Sequence, residues 1–452
     1  MDERTHMPTR LLPVLVAAFC LHPAQAQESG ISGLIPYGTH VETLDNGLTV
    51  IIMPIAETGL VAYWSIVRTG SRDEYEPGHS GFAHFFEHMM FRGTDTYPAD
   101  VYNGILTSIG ADGNAYTTDD LTAYHISIAA EDLEQVIQLE SDRFRNLAYT
   151  EADFRTEAGA VYGEYRKNRT NPFFVVYEAA MAEAFTAHTY GHTTMGYEED
   201  IAAMPTMFDY SQSFFSRYYR PDNTILFIAG GVEAEPVMRW VNTYYGGWEA
   251  GYVAPEIPVE PVQEAERRID VSYSGRTLPV LALAYKSDAF DPTNRDRVAA
   301  DLLVELAFGS TSAIYRQLVI DEQVLEFLAT DAGLNRDPSV IFIYTRIKDA
   351  DKVDYVLETI DATIAQYQES LPDSERLADL KSRLRYGFLM GLETPDDIAG
   401  GLARHIAISG GLAGIEELYA AYETISAEDI RAAARHYLTV DRRVVAVLRE
   451  EE

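Results

Sequence analysis

The chain has 452 residues, too many for one ordinary hydrophobic core, so two or more domains are expected. Hydrophobic residues make up 47% of it and aromatic residues 11%, the composition of a folded protein rather than a disordered one. With 70 acidic and 35 basic residues the formal charge is −35, which argues against nucleic acid or anionic membrane surfaces as partners and favours cationic peptides, unless the acidity serves solubility alone. At the N-terminus, an apolar run from Leu11 to Leu21 follows Arg10 and precedes the small-residue site Ala24-Gln25-Ala26, so residues 1–26 read as an export signal. Met7 is an alternative start that leaves a cleaner basic leader. The run is too short to span a bilayer, no second apolar stretch approaches spanning length, and stable membrane insertion is not expected. Cys20, the only cysteine, falls inside the signal, so the mature chain is expected to have no disulfide. The expectation is an exported, soluble and most simply periplasmic protein.

Asn46-Gly47 marks a tight turn into a β-rich run ending near Ile52, and Val61 to Val67 is a second such run. A polar loop, Arg72 to Gly78, leads to Gly81-Phe82-Ala83-His84-Phe85-Phe86-Glu87-His88-Met89-Met90-Phe91. On a helix over 84–91, His84 and His88 project from one face, and their imidazoles are able to meet one small cation. Glu87 hangs a carboxylate beside that cation, in the order H-x-x-E-H, the inverse of the H-E-x-x-H zinc helix. Neutral imidazole suits Zn²⁺, and a carboxylate that is not a ligand is placed to take a proton from water, whose pKa a zinc ion lowers to about 7.

Residues 110–118 are glycine-punctuated and then extended, and Leu121 to Ala129 alternates as a strand with one polar-leaning face. His125 on that strand reads as a polar-face residue rather than a ligand. An amphipathic helix runs from Asp132 to Asn146, and another from about Glu151 to Lys167 carries Glu157 and Glu164 nearly two turns apart on one face. Two histidines need a third, anionic ligand, and the small or apolar residues between the two glutamates suit close helix packing.

Taken in order, Gly47 to Thr49, Gly81 to Thr94, Gly113 to Thr117, Glu157 to Glu164, Tyr190-Gly191-His192 with Gly196, and Tyr219 to Asn223 resemble the catalytic half of the M16 metallopeptidases, an inverzincin family that includes pitrilysin and mitochondrial processing peptidase. The resemblance implies that one Zn²⁺ per chain is held by His84, His88 and Glu164, that Glu87 is the general base, and that Glu157 is an acidic residue supporting the site. Tyr165 neighbours the aligned position, but only Glu164 has ligand chemistry. It also implies that Asn114 and Ala115, with Phe91, bind substrate, the peptide adding as an extra strand to the edge on which Asn114 lies. Read from the residues alone, a turn residue is the lesser alternative for Asn114.

The implied fold is α+β: two homologous α/β-sandwich domains, each a mainly antiparallel sheet with helices on one face. The catalytic domain covers 38–249, a Pro/Gly-rich linker 250–263, and a non-catalytic domain without H-x-x-E-H covers 264–452. A weak internal repeat supports the pairing: Ser213 to Tyr219 leads through a short turn into Thr224 to Ile228, and Ile430 to Tyr437 leads through another into Arg443 to Val447. Where family members carry an Arg and a Tyr that reach the substrate carbonyl from the second half, this chain has Val319 and, nearby, Phe327. Neither donates a hydrogen bond to an oxyanion. The expected molecule is a zinc metalloendopeptidase subunit for unfolded peptides, in a heterodimer with a related subunit that carries the Arg/Tyr pair but lacks H-x-x-E-H. The alternatives are a non-catalytic structural or assembly subunit of the same fold, and a processing peptidase for one precursor.

Overall fold

The computed structural model describes residues 27–29 and 33–451; the export signal and Cys20 lie outside them. Strands β1 (Gln27–Ser29), β2 (Thr39–Thr43), β3 (Thr49–Pro54), β4 (Leu60–Val67), β5 (Asp112–Thr117), β6 (Thr122–Ala129) and β7 (Thr224–Gly230) form a first sheet in the order β1-β2-β3-β7-β4-β6-β5. Strands β8 (Arg267–Tyr273), β9 (Val280–Lys286), β10 (Leu325–Asp331), β11 (Val340–Ile347) and β12 (Arg443–Glu450) form a second, in the order β10-β11-β9-β12-β8. Every pairing is antiparallel except β3 with β7 and β8 with β12.

Read outward from those parallel pairs, β3-β7-β4-β6-β5 and β8-β12-β9-β11-β10 are the same arrangement. The repeat seen in sequence lies at its centre. Helix Phe208–Tyr218 runs through a 3-10 turn into β7, and helix Ala427–Tyr437 does the same into β12. Residues 249–266 run between the two halves without helix or strand, and Val253, Val259 and Val262 stand exposed along them.

Five helices position the site and close the sheets: α1 (Phe82–Met89), α2 (Leu133–Asn146), α3 (Glu151–Asn168), α4 (Pro172–Ala184) and, late in the chain, α5 (Pro395–Ser409). Each sheet carries its own domain's helices on one face. The face of the first that bears Ile51, Trp64 and Phe227 is covered by α5, from the second half, through Ile398, Leu402 and Ile406. The corresponding face of the second sheet, with Val280, Phe342 and Val444, is covered by α4, from the first half, through Val175, Val176 and Met181. This exchange of helices explains why the sheets tolerate apolar residues on both faces. β6, read as having a polar-leaning face, is buried or half-buried along its whole length for that reason.

A second apolar helical run does exist. Arg295–Asp321 reaches bilayer-spanning length by composition, but 67% of its apolar window is buried in the second domain's core, and it breaks at Gly309 into shorter helical pieces. Periodicity conceals it because its apolar residues face the core on several sides.

Candidate metal centre

The loop from Arg72 to Gly78, polar in sequence, is partly interior. Glu74 is buried, and its two oxygens accept the Gly81 N–H at 2.7 Å and the Ala83 N–H at 2.6 Å, so it satisfies the orphan donors at the start of α1 from outside the helix. Gly81 precedes the helix at φ 89°, where a Cβ would stand 2.6 Å from the Met195 carbonyl oxygen. From that anchor Phe82, Phe85, Phe86 and Met89 enter the core, and Tyr124 donates to the Phe86 carbonyl at 3.1 Å from beneath. The remaining face presents His84, Glu87 and His88.

The imidazoles of His84 and His88 are 4.8 Å apart between ring centroids. Glu164, on α3, brings Oε2 to 3.4 Å from His88 Nε2 and 3.8 Å from His84 Nε2. Among the described residues these three form the one group of donors close enough to share an ion. Ligands at zinc distances of about 2.0–2.2 Å around a tetrahedron stand about 3.3–3.6 Å apart; the Glu164–His88 distance falls in that range, all three donor atoms lie within 4.8 Å of one another, and the donor set fits Zn²⁺ in type. Burial pushes His84 down to about 3, keeping its ring neutral, and its Nδ1 has no partner among the described residues. His88 is held from behind by Glu157, whose Oε1 lies 2.8 Å from Nδ1. With Nδ1–H donating there, the Nε2 lone pair points to the ion position. Glu157 also accepts from Arg92. His88 first, and then Arg92, draws the Glu157 carboxyl down to about 2, and Glu157 in turn raises His88.

Glu87 is not in the ligand group. Thr117, at the end of β5, donates its hydroxyl to Glu87 Oε2 at 2.7 Å, and burial holds the carboxyl above its ordinary value. Glu87, His88, Phe91, Arg92, Asn114 and Glu157 line an open cleft of about 440 Å³. β5 is the outer strand of its sheet, with Asn114 exposed and Ala115 buried at its middle. The Ala115 N–H is taken by the Asn114 side-chain oxygen at 2.9 Å, so Asn114 is a strand residue with a local side-chain bond and not a turn residue. Phe91 packs over Tyr124 and beside the buried guanidinium of Arg143, which pairs with Glu140. His125 lies apart from the ligand group and stacks on Trp64, with ring centroids 4.5 Å apart.

Two working residues escape a reading of the pattern alone. Arg92 follows His88 by four positions on the turn that ends α1, and Thr117 closes the extended segment; both sit inside segments already singled out, but neither carries ligand chemistry. In the second half, Val319 packs against the core, and Phe327 on β10 packs its ring against Phe173 at 5.5 Å and Tyr344 at 5.9 Å.

A paired α+β fold with an H-x-x-E-H helix and a distant glutamate closing on it defines a zinc-peptidase class of protein. Comparison makes the assignment particular. Residues 50–198 match the family model described as Insulinase (Peptidase family M16), and residues 208–384 match Peptidase M16 inactive domain. The chain belongs to the M16 peptidase family. It is 26% identical over 402 residues to the zinc protease PqqE of Helicobacter pylori, covering 87% of this chain and 89% of that one. A crystal structure of a protease from Helicobacter pylori superposes with a TM-score of 0.85 at 25% identity, covering 91% of this chain and 99% of the other. Pitrilysin shares the fold at a TM-score of 0.76 and 18% identity, covering 94% of this chain but 46% of pitrilysin.

Proposed function

We propose that this chain is the metal-bearing subunit of an exported zinc metalloendopeptidase that cleaves unfolded peptides. The observation that carries the reading is the convergence of His84, His88 and Glu164 on one point, with Glu87 beside them and a free sheet edge alongside. One zinc ion held by these three residues would supply Lewis-acid polarisation of the scissile carbonyl and of water. Substrate adds to β5 in extended form, its main chain replacing the Asn114 side chain as partner of the Ala115 N–H. Phe91 and Asn114 flank the bound residues. Glu87, steadied through one oxygen by Thr117, accepts a proton from the attacking water and returns it to the leaving amine. Glu157 is a positioning residue: it holds the His88 ring and is itself held by Arg92.

The missing Arg and Tyr point to a partner. Val319 and Phe327 have no donor groups and are engaged in packing, and pitrilysin, whose chain is about twice as long, accommodates this fold in one half. A related subunit would supply the pair and close the cleft against folded proteins. Export to the periplasm is part of the proposal, resting on residues 1–26. The test is cleavage of an unstructured peptide by the chain alone and with the related subunit. Activity should be weak or absent alone and appear on mixing, and Glu87→Gln should abolish it with zinc still bound. Full activity of the isolated chain as a homodimer contradicts the partner, and turnover by Glu87→Gln contradicts the base.

A further inference from the structure

A second and larger cavity, about 520 Å³, opens at the seam between the two halves. Its walls are aromatic: Phe173 and Tyr177 from α4 face Phe342 and Tyr344 from β11. One cation lines it, Arg404 on α5. Arg404 makes no hydrogen bond and no ion pair within 4.0 Å to any described residue, and its Nε is buried without a partner. Asp119 and Asp331 line the same space without contacting it. Asp119 is bonded by Ser71 at 3.1 Å, and one oxygen of Asp331 accepts the Gly333 N–H at 2.8 Å.

Arg404 is half-buried and its charge acts on Asp119 through space, but its guanidinium is hydrogen-bonded to no described residue, so its planar donors are left for a planar anion at the wall of an apolar cavity. The volume lies within the range of small-ligand sites, about 300–1,000 Å³. The rings suit an apolar side chain, and the two carboxylates, set apart from Arg404, suit an ammonium. We propose that this cavity binds the carboxylate end of a short apolar peptide, with Arg404 holding the terminal carboxylate and the side chain lying among Phe173, Tyr177 and Phe342. The site is separate from the metal centre and does not depend on the reaction proposed there. It does adjoin the centre's supports. Thr118 and Asp119 in its wall directly follow Thr117, the residue bonded to Glu87, and Asn171 lies just past the end of α3, which carries Glu164.

The test is calorimetric titration of the full chain with Leu-Phe, with Leu-Phe amide, with N-acetyl-Leu-Phe and with a longer peptide ending in Leu-Phe. The free acid should bind one per chain, the amide at least about tenfold more weakly, and Arg404→Gln should weaken the acid by a similar factor. Chelating the metal should leave the affinity unchanged. Loss on acetylation assigns the site to free dipeptides, and tolerance of the acetyl group and of the longer peptide assigns it to chain ends. No binding at millimolar ligand, equal affinity for acid and amide, or loss of binding on chelation overturns the proposal. If Arg404→Gln does not fold, the acid and amide compared on the unaltered chain decide. Equal affinities would leave Arg404 as a counter-charge to Asp119.

Discussion

Glu157 has a different task from Glu164 although they share one helix face: it meets His88 at Nδ1, behind the ring, while Glu164 meets Nε2 in front. Replacing it with Gln keeps the shape but removes the charge that fixes the His88 tautomer. Zinc affinity of Glu157→Gln should fall by about 10–100-fold in a competitive chelator titration, with much of the rate returning at saturating zinc. Unchanged affinity would show that Glu157 does not orient His88. The two histidines were legible because a spacing of four puts them on one helix face. Glu164 was legible only through family resemblance, since any glutamate on an acidic helix offers the same chemistry. Arg92 was hidden because its role depends on the turn after Met89 folding its side chain back to Glu157.

At the scale of the element, α1 depends on how its start is clamped. Gly81 and Gly196 both adopt left-handed backbone and face each other, so a Cβ on Gly196 would lie 2.7 Å from the Gly81 nitrogen. Gly196→Ala should therefore destabilise the chain by about 2 kcal/mol or more in urea unfolding and weaken zinc binding, because the displaced helix carries two ligands. A stability within about 0.5 kcal/mol of the parent would contradict that clamp. The strands and most helices were readable from period and turn residues. The burial of Asp73 and Glu74 was not, because polarity in sequence does not show which backbone donors a carboxylate will serve. Nor was the exchange of α4 and α5 between the halves, since an apolar helix does not name the sheet it covers.

Across the whole molecule, the halves meet through a seam in which Arg72 and His188 bind Asp337 at 2.6 and 3.0 Å, and Asn335 binds Asp120 at 3.1 Å. Asp73 and Asp119 lie along it, and burial raises each from 3.8 to about 6. Between these values the folded chain binds more protons than the unfolded one, so their contribution is full below about pH 4 and is lost as pH rises through 6. Glu157 acts oppositely: drawn from 4.5 to about 2, it contributes above 4.5, and that contribution is lost as pH falls towards 2. Self-repulsion at a formal −35 adds to the loss at high pH. His84, held neutral by burial, acts against the aspartates over the same range, so the test is a comparison: with metal chelated, the stability of the parent relative to an Asp73→Asn/Asp119→Asn chain should fall by roughly 2 kcal/mol or more between pH 5 and pH 7.5, a profile read by denaturant unfolding of both chains at each pH. A flat profile from 5 to 7.5 would show that the buried aspartates do not titrate in this way.

Peptide hydrolysis by this chain requires His84, His88 and Glu164 to converge on one ion, and metal analysis of purified chains tests that convergence most directly. Zinc per chain, measured by mass spectrometry after dialysis against buffered zinc, should be one for the parent and for Glu87→Gln, and should fall to near zero for Glu164→Ala and His88→Ala. A parent chain that holds no zinc, or a Glu164→Ala chain that holds it as tightly as the parent, would contradict the metal centre and the hydrolytic function built on it.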